Sequence, residues 1–430
     1  MMAILAIFIL IILMILGVPI VWSFAAVLAY LTFVFDSNLT TLLLQGFRSL
    51  NSVILLALPL FIFAGYLMQV GGIASRLVNF IEVLVTGRKG GLGASMIFTS
   101  SIFGAISGTS TAAVAAIGTI MIDPLAKRGY PRGYSSALLG ISSLLGILIP
   151  PSVTLILFGV VTRQSITALF AATLGPALLL IIGLVIFNRL SIGRTFNETS
   201  PPDVSANKNL LKKNFLSAMP ALSMPLIILG GIYGGIFTPT EAAAVAVLVA
   251  IIVGFFFYKE LTLFKLKESI IASAETTGTI ILILLFSFMI GRILVSERVP
   301  QELSDFIISL IQNKIMILII INLVLIAAGA IMDDVSVTVV LAPLFMPLMI
   351  KIGIDPVHYA SIVACSVVIG ANSPPVAPIL YMACKIGKVS IHEAILPALS
   401  LIAFVAIPVM LVTTFIPELS LFIPRILGFM

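Results

Sequence analysis

The residues that could perform chemistry in this sequence form short polar runs inside long apolar stretches. The first run is Ser107-Gly108-Thr109-Ser110-Thr111, and its glycine permits a non-helical turn. Carbonyls of a helix that ends at such a turn lose their hydrogen-bond partners, and hydroxyl groups lie beside them. This oxygen-rich, weakly charged cluster suits Na⁺, whereas the amides that open the next helix suit an anion such as a carboxylate.

The second run, Asp333-Asp334-Val335-Ser336, carries two adjacent carboxyl groups inside an apolar stretch. A carboxylate in the middle of a membrane is costly and usually belongs to an ion or proton pathway. The run therefore predicts an ion site. The alternative is that one of the two acids caps a helix.

Proline pairs interrupt two more apolar stretches. Pro150-Pro151 lies within the stretch 133–160, and Pro374-Pro375 lies within the stretch 357–380. Proline lacks an amide hydrogen and clashes with the carbonyl four residues before it, so each pair should break a helix. The freed carbonyls need partners in a dry environment, and an ion can supply one. A plain kink is the alternative for each pair.

Together these features predict an ion site and a substrate site. The predicted Na⁺ ligands lie in the polar runs and beside the helix breaks: Ser107, Gly108, Thr109, Gly146, Pro150, Asp333, Asp334, Gly370, Asn372 and Ser373. The predicted substrate contacts are hydroxyl groups at the same places: Ser110, Thr111, Ser152 and Ser336.

The composition places these residues in a membrane protein. Of the 430 residues, 60% are hydrophobic and only 9% are charged, whereas about 25% of a soluble domain is charged. The mean hydropathy is +1.26. The sequence has no Walker A motif and no His/Cys/carboxylate cluster with metal-ligand spacing, so we predict neither ATP hydrolysis nor a metalloenzyme.

Apolar stretches predict the membrane crossings. Those of spanning length fall roughly at 3–17, 19–35, 53–70, 133–160, 166–187, 215–235, 242–258, 270–290, 357–380 and 394–416. Two further stretches, about 91–126 and 315–350, are too long for one crossing and contain the polar runs near their middle. Each is predicted to be a re-entrant helical hairpin. An amphipathic segment precedes each hairpin, at 73–84 and 303–310, and could lie along the membrane surface as an arm or be an ordinary loop helix.

The distribution of basic residues indicates the topology. With both hairpins re-entrant, one side of the membrane collects the basic residues near 88–89, 127–132, 188–214, 259–267 and 385–388. The other side collects Arg48, Arg163, Lys314, Lys351 and a few acids, which is a much smaller cluster. The positive-inside rule assigns the first side to the cytoplasm, and both termini then lie outside it.

The two halves of the chain resemble each other at an offset near 225 residues. Gly104-Ala105-Ile106 matches Gly329-Ala330-Ile331. An odd number of predicted crossings separates the two motifs, so the second half should be inverted. We predict an all-α polytopic membrane protein with inverted repeats at 1–187 and 215–430 and a cytoplasmic linker at 188–214. Inverted repeats that each contain a broken helix are typical of secondary transporters with a site at mid-membrane.

Two other polar features favour structural roles. Thr238-Pro239-Thr240-Glu241 fits the capping box that starts a helix. Arg292 and Arg298 could attract an anion, although near the membrane interface snorkelling anchors are favoured.

Several motifs resemble those of a known family. They are Gly17-Val18-Pro19-Ile20, Phe103-Gly104-Ala105-Ile106-Ser107-Gly108-Thr109-Ser110, Ile149-Pro150-Pro151-Ser152 and Gly235-Ile236-Phe237-Thr238-Pro239-Thr240-Glu241-Ala242. In combination, and over essentially the whole chain, they are similar to the large (M, or DctM-like) membrane subunit of tripartite ATP-independent periplasmic (TRAP) transporters. The resemblance implies a bacterial inner-membrane protein with an elevator fold like that of the ion transporter superfamily. It also implies Na⁺-driven import.

The resemblance also implies two separate partners, a small four-helix membrane subunit and a soluble periplasmic substrate-binding protein. Substrates of the family are mostly organic acids, including C4-dicarboxylates, keto acids and sialic acids, and sialic acid is our first candidate. A stand-alone ion-coupled carboxylate carrier is the alternative within transport. A channel has little use for paired broken hairpins, and an intramembrane enzyme needs a catalytic pair or metal cluster.

Overall fold

The computed structural model describes residues 2–85, 89–196, 198–199, 208–374 and 376–430. Arg88, Pro375 and residues 197 and 200–207 of the predicted linker therefore lie outside the described residues. The described part of the chain is built from helices and loops, and no β-strand forms within it.

The helices before the linker are α1 (Met2–Ile15), α2 (Ile20–Val34), α3 (Leu39–Leu50), a 3₁₀ turn (Val53–Leu56), α4 (Ala57–Val70), α5 (Ile73–Val85), α6 (Gly91–Ser107), α7 (Ser110–Lys127), α8 (Arg132–Ser143), α9 (Leu145–Leu148), α10 (Val153–Thr162), α11 (Ile166–Ala172) and α12 (Leu174–Ser191).

The helices after the linker are α13 (Lys208–Tyr233), α14 (Pro239–Ile252) with a π-helical end (Val253–Phe257), α15 (Leu263–Ser296), α16 (Val299–Leu310), α17 (Lys314–Gly329), α18 (Asp334–Lys351), α19 (Pro356–Gly370), α20 (Pro378–Gly387), α21 (Ile391–Leu401), a π-helical turn (Ile402–Ala406), α22 (Ile407–Phe415) and α23 (Glu418–Ile426).

The fold is that of an all-α polytopic membrane protein, as the sequence predicts. Within the described ranges, seven helices are long and apolar enough to cross a membrane, and the bent pair Arg132–Leu148 and Val153–Thr162 makes up to eight. Large apolar side chains such as Phe33 and Leu226 remain exposed on the outer helices, as expected for lipid-facing positions.

The order of elements occurs twice along the chain. The segments α5, α6–α7, α8–α10 and α11–α12 correspond in order to α16, α17–α18, α19–α20 and α21–α22. One difference precedes them, because α3 and α4 are separate helices whereas α15 runs unbroken for 34 residues. The division into repeats at 1–187 and 215–430 remains a prediction.

Both hairpins turn at the polar runs. Gly108 adopts a left-handed conformation (φ +66°) between α6 and α7, and Thr109 is extended before α7 begins. Such a φ suits glycine because it has no Cβ. In the second hairpin, α17 ends at Gly329 and Asp333 is the extended residue before α18. The observed hairpins, 91–127 and 314–351, match the predicted ranges 91–126 and 315–350.

Two predicted boundaries need correction. The second broken helix does not end near 380, because α20 runs from Pro378 to Gly387 after a break at 371–377 that is longer than the first break at 149–152. The linker is also shorter than 188–214, because α12 continues to Ser191 and α13 begins at Lys208.

Each arm helix is tied to its hairpin by an ion pair. Glu82 of α5 lies 3.2 Å from Arg128 at the end of α7, and Asp305 of α16 lies 2.6 Å from Lys351 at the end of α18. Partly exposed pairs of this kind contribute little stability, on the order of 0–1 kcal/mol. The two pairs are equivalent in position, because each joins an arm helix to the end of the second helix of its hairpin.

Each hairpin packs directly on the broken helix of its own half through glycine. A Cβ placed on Gly104 of α6 would lie 2.6 Å from the Cα of Gly146 in α9. A Cβ placed on Gly370 of α19 would lie 2.7 Å from the Cα of Gly329 in α17. Only glycine allows the backbones to approach so closely, as at other close contacts between membrane helices.

We predict that Gly104→Ala lowers the thermal stability of the purified protein in detergent. The added methyl group meets backbone atoms that cannot rotate away, and overpacking of this kind costs about 1–3 kcal/mol. Gly278→Ala is the matched control, because a Cβ there meets nothing within 4 Å in the middle of α15. A melting temperature of Gly104→Ala equal to that of the control would contradict the proposed contact.

Candidate functional site

The first hairpin tip lies against the first helix break. The carbonyl of Gly108 accepts a hydrogen bond of 3.1 Å from the amide of Val153, which opens α10. A Cβ placed on Gly108 would lie 2.8 Å from the carbonyl oxygen of Pro151. Ser107 is fully buried, and its hydroxyl lies 3.4 Å from the carbonyl oxygen of Thr109. The tip and the break therefore form one cluster of oxygen atoms.

The second tip repeats this contact with the second break. The amide of Val376 donates a hydrogen bond of 3.3 Å to the carbonyl of Ala330 in the turn between α17 and α18. Gly370 is the last residue of α19, and Ser373 in the break donates its hydroxyl hydrogen bond to the carbonyl of Ile369 at 2.8 Å.

The second tip also contacts the first half of the chain. The carboxylate of Asp334 accepts a hydrogen bond of 2.6 Å from the hydroxyl of Thr154, which follows the first break. The neighbouring Asp333 has one carboxyl oxygen, Oδ1, that finds no partner among the described residues. The two halves are therefore joined at the acidic tip.

The second break reaches the first half in the same way. The buried amide of Asn372 donates to the carbonyls of Gly140 in α8 and Val368 in α19 at 3.4 and 3.5 Å. A Cβ placed on Gly140 would lie 2.6 Å from Asn372 Oδ1, so glycine makes room for this side chain. Asn372 Oδ1 itself has no hydrogen-bond donor in the described part of the chain.

Several buried oxygen atoms near the second tip and break therefore lack partners. Within the described residues they are Asp333 Oδ1, Ser336 Oγ, Thr338 Oγ1 and Asn372 Oδ1. An unpaired buried polar group costs about 1–3 kcal/mol, and more when it is charged. These atoms carry the lone pairs that a hard cation such as Na⁺ prefers. No cluster of three or more His, Cys, Asp or Glu side chains suited to a transition metal occurs in the described part of the chain.

The structure distributes the predicted site residues unevenly. Ser107, Gly108 and Thr109 meet the first break, whereas Gly146 lies inside α9, one turn before the break that contains Pro150. The Cβ position of Gly146 is 3.1 Å from the carbonyl oxygen of Thr109, so Gly146 packs closely beside the tip.

The predicted substrate contacts also differ in placement. Ser152 is fully buried and is the N-cap of α10. Its hydroxyl accepts a hydrogen bond of 3.3 Å from the amide of Leu155. Ser110 and Ser336 are buried, whereas Thr111 is exposed on α7. The capping role of Ser152 leaves its hydroxyl less available to a substrate than the sequence suggests.

Thr154 is the site residue that sequence reasoning missed. It lies two residues after Ser152, shortly after the proline pair. Its proximity to the first break was a usable signal, but nothing in the local sequence indicates that its partner is 180 residues away.

Paired hairpins and paired broken helices, with each break against a hairpin turn inside a helical bundle, define a membrane-embedded transport protein. The fold is similar to that of the Alcanivorax borkumensis YdaH transporter, with a TM-score of 0.62, 14% identity and coverage of 87% of both chains. That likeness concerns the fold alone.

Sequence comparisons place the chain in one family. Residues 7–419 match the model of the tripartite ATP-independent periplasmic transporter, DctM component. The chain is 32% identical to the C4-dicarboxylate TRAP transporter large permease protein DctM of Rhodobacter capsulatus, covering 97% of this chain and 98% of that protein. It is 32% identical to the sialic acid TRAP transporter large permease protein SiaM of Vibrio cholerae, covering 95% of each.

A further relative is the isethionate TRAP transporter permease protein DctMQ of Oleidesulfovibrio alaskensis, with 34% identity. The match covers 88% of this chain but only 59% of that longer protein. The chain belongs to the family of DctM components of tripartite ATP-independent periplasmic transporters. The family resemblance read from the sequence is thereby confirmed, and so is the expectation that the chain is a permease component and not an enzyme.

We predict that Thr154→Val destabilises the protein by about 1–3 kcal/mol, because it leaves the buried carboxylate of Asp334 without its hydroxyl donor. Thr162→Val on the same helix is the matched control, since among the described residues the hydroxyl of Thr162 bonds a carbonyl of its own helix and no side chain. Thermal unfolding in detergent measures the difference. Equal melting temperatures for the two variants would remove the link between α10 and the acidic tip.

Proposed function

We propose that this chain is the large transmembrane subunit of a Na⁺-coupled secondary transporter that imports a small organic anion. The observation that carries the proposal is the meeting of two hairpin tips and two helix breaks around buried oxygen atoms without partners, in a member of the DctM family. Broken helices at mid-membrane are the usual ion and substrate sites of secondary transporters.

The proposed Na⁺ ligands divide into two groups of oxygen atoms. One group is the first tip and break, with the carbonyls and hydroxyls of 107–109 and 149–150. The other group contains Asp333 and Asn372, whose free oxygen atoms belong to the second tip and break. A carboxylate in the second group would balance the charge of a bound cation and so reduce the cost of burying both.

The proposed substrate is a small oxyanion. C4-dicarboxylates and sialic acid, which appear in the names of relatives, are carboxylates, and isethionate is a sulfonate. Sialic acid thus remains one candidate beside C4-dicarboxylates and keto acids. The amides that open α7 and α18 at the two tips would face such an anion.

We further propose the assembly and location that the family name suggests. A small four-helix membrane subunit and a soluble periplasmic substrate-binding protein would complete the tripartite system. The chain would lie in the bacterial inner membrane with both termini in the periplasm, in accordance with its distribution of basic residues. The hairpins and broken helices would move as a transport domain against a scaffold.

Uptake by proteoliposomes tests this proposal. The large and small subunits are reconstituted together, and uptake of labelled succinate, N-acetylneuraminate and isethionate is measured with and without an inward Na⁺ gradient and the cognate binding protein. We expect uptake of at least one anion to require both. Uptake without any binding protein would instead support the stand-alone ion-coupled carrier.

We predict that Asp333→Asn raises the Na⁺ concentration for half-maximal uptake by about tenfold, equivalent to about 1.4 kcal/mol. The substitution removes the charge that would face the ion but keeps the size of the side chain. Asp305→Asn is the control, because Asp305 is an exposed partner of Lys351 away from the tips. Unchanged sodium activation of Asp333→Asn, at equal expression, would exclude Asp333 from the ion site.

A further inference from the structure

A cavity lined mostly by apolar side chains, but with three arginines, includes none of the hairpin-tip residues in its lining. It has a volume of about 480 Å³ and is lined by α3, the end of α10, α15 and α18. Three arginines from different elements line it: Arg48 of α3, Arg163 at the C-cap of α10 and Arg292 of α15. No Asp or Glu is among its described lining residues.

The three guanidinium groups carry like charge and lack acidic partners. None of them forms an ion pair with the described part of the chain, although other arginines such as Arg76, Arg128 and Arg132 do. Arginine stays charged at any physiological pH, so the repulsion cannot be relieved by loss of a proton. Arg163 also adopts a left-handed backbone conformation (φ +58°), which is strained for a residue with a Cβ.

A row of snorkelling anchors would not produce this arrangement. Anchoring arginines extend separately towards the membrane surface, whereas Arg48, Arg163 and Arg292 converge on one concavity from three elements that are distant in sequence. Arg298, which sequence reasoning treated like Arg292, is not among the lining residues. The structure thus shows that Arg292 lines the cavity and Arg298 does not, a difference that the sequence did not indicate.

The cavity ends close to the acidic tip. Val339 of α18 lines it and is five residues after Asp334, or about 7.5 Å along the helix axis. The carbonyl of Val339 loses its helical partner because Pro343 has no amide hydrogen, and the hydroxyl of Ser287 donates to it at 3.3 Å. This hydrogen bond between α15 and the second hairpin therefore lies in the wall of the cavity.

One wall of the cavity has room for an occupant. Gly291 of α15 lines the cavity, and a Cβ placed on it would meet nothing within 4 Å. A side chain can therefore be added there without displacing a neighbour, which provides a probe of the space.

We propose that this cavity is an anion vestibule, in which Arg48, Arg163 and Arg292 bind a small organic oxyanion before it reaches the hairpin tips. Guanidinium groups bind carboxylate and sulfonate oxygens through paired, charge-assisted hydrogen bonds. In the topology predicted from charge, Arg48 and Arg163 lie on the non-cytoplasmic side, where an imported anion arrives. The identity of the ligand rests on the proposed function, whereas the site rests on the cavity.

Chemical protection of the arginines tests the vestibule. The purified protein is treated with phenylglyoxal, which modifies arginine, and labelling of each arginine is followed by peptide mass spectrometry. Succinate, N-acetylneuraminate and isethionate are added in turn at constant ionic strength. At about ten times its dissociation constant, at least one anion should reduce labelling of the three cavity arginines by about tenfold. Arg298, which is exposed and outside the cavity, should be unaffected and is the internal control.

A charge placed in the cavity supplies the second variant. Gly291→Asp should abolish the protection, because the new carboxylate occupies the guanidinium groups, whereas Gly291→Ala should preserve it. If no anion reduces the labelling of Arg48, Arg163 and Arg292 relative to that of Arg298, the proposal is overturned. Protection by phosphatidylglycerol and by none of the small anions would also overturn it, in favour of a lipid headgroup. Protection that requires the binding protein would overturn it in favour of a docking surface for that protein.

Transport and protection can fail separately. If wild-type proteoliposomes show no Na⁺-dependent uptake but the arginines are protected, the proposed function fails and the anion site stands. If uptake is normal but no anion protects the arginines, the vestibule alone is wrong. Arg48→Gln/Arg163→Gln/Arg292→Gln should also reduce the uptake rate more at low than at high ionic strength, whereas Arg298→Gln should show the salt dependence of the wild type.

Discussion

Inside the membrane, every backbone amide and carbonyl that is not bonded within a helix needs another hydrogen-bond partner, and the rest of the structure depends on this constraint. Lipid offers no hydrogen bonds, so non-helical backbone is tolerated only where protein, water or ligand replaces the missing partners. In each half, one hydrogen bond from a helix break to a hairpin turn provides part of this pairing. Val153 donates to Gly108 in the first half, and Val376 donates to Ala330 in the second. The breaks and turns can exist only because they lie against each other.

Glycine makes these contacts possible. The close approaches of Gly104 to Gly146 and of Gly329 to Gly370 bring each hairpin onto its broken helix at equivalent positions of the two halves. The halves are then joined across the bundle by the bond from Thr154 to Asp334. Near the second tip and break, four buried side-chain oxygen atoms find no partner among the described residues, and Asp333 Oδ1 and Asn372 Oδ1 are two of them. An ion-coupled carrier can use such atoms, because a cation completes their coordination and is released when the geometry changes.

The arginine cavity and the acidic tip carry side chains of opposite charge. The cavity is lined by basic side chains, whereas the second tip carries Asp333 and Asp334. An anion would be attracted to the first and repelled by the second unless a cation were bound there. Under the proposed function, these charges, with arginines from α3, α10 and α15 and the two acids at the start of α18, would link anion entry to Na⁺ binding.

The sequence by itself determined that the protein lies in a membrane and where both hairpins and both helix breaks fall. It also determined that the order of elements occurs twice. These follow from hydropathy, glycine and proline, whose effects act on the residues next to them in the chain. Only the tertiary structure showed that Gly146 lies within α9, that Ser152 caps α10 and that Arg292 joins Arg48 and Arg163 while Arg298 does not. Likewise, the partners of Thr154 and Asn372 lie 180 and 232 residues away. No local pattern encodes contacts at that separation, because they arise from the packing of whole helices.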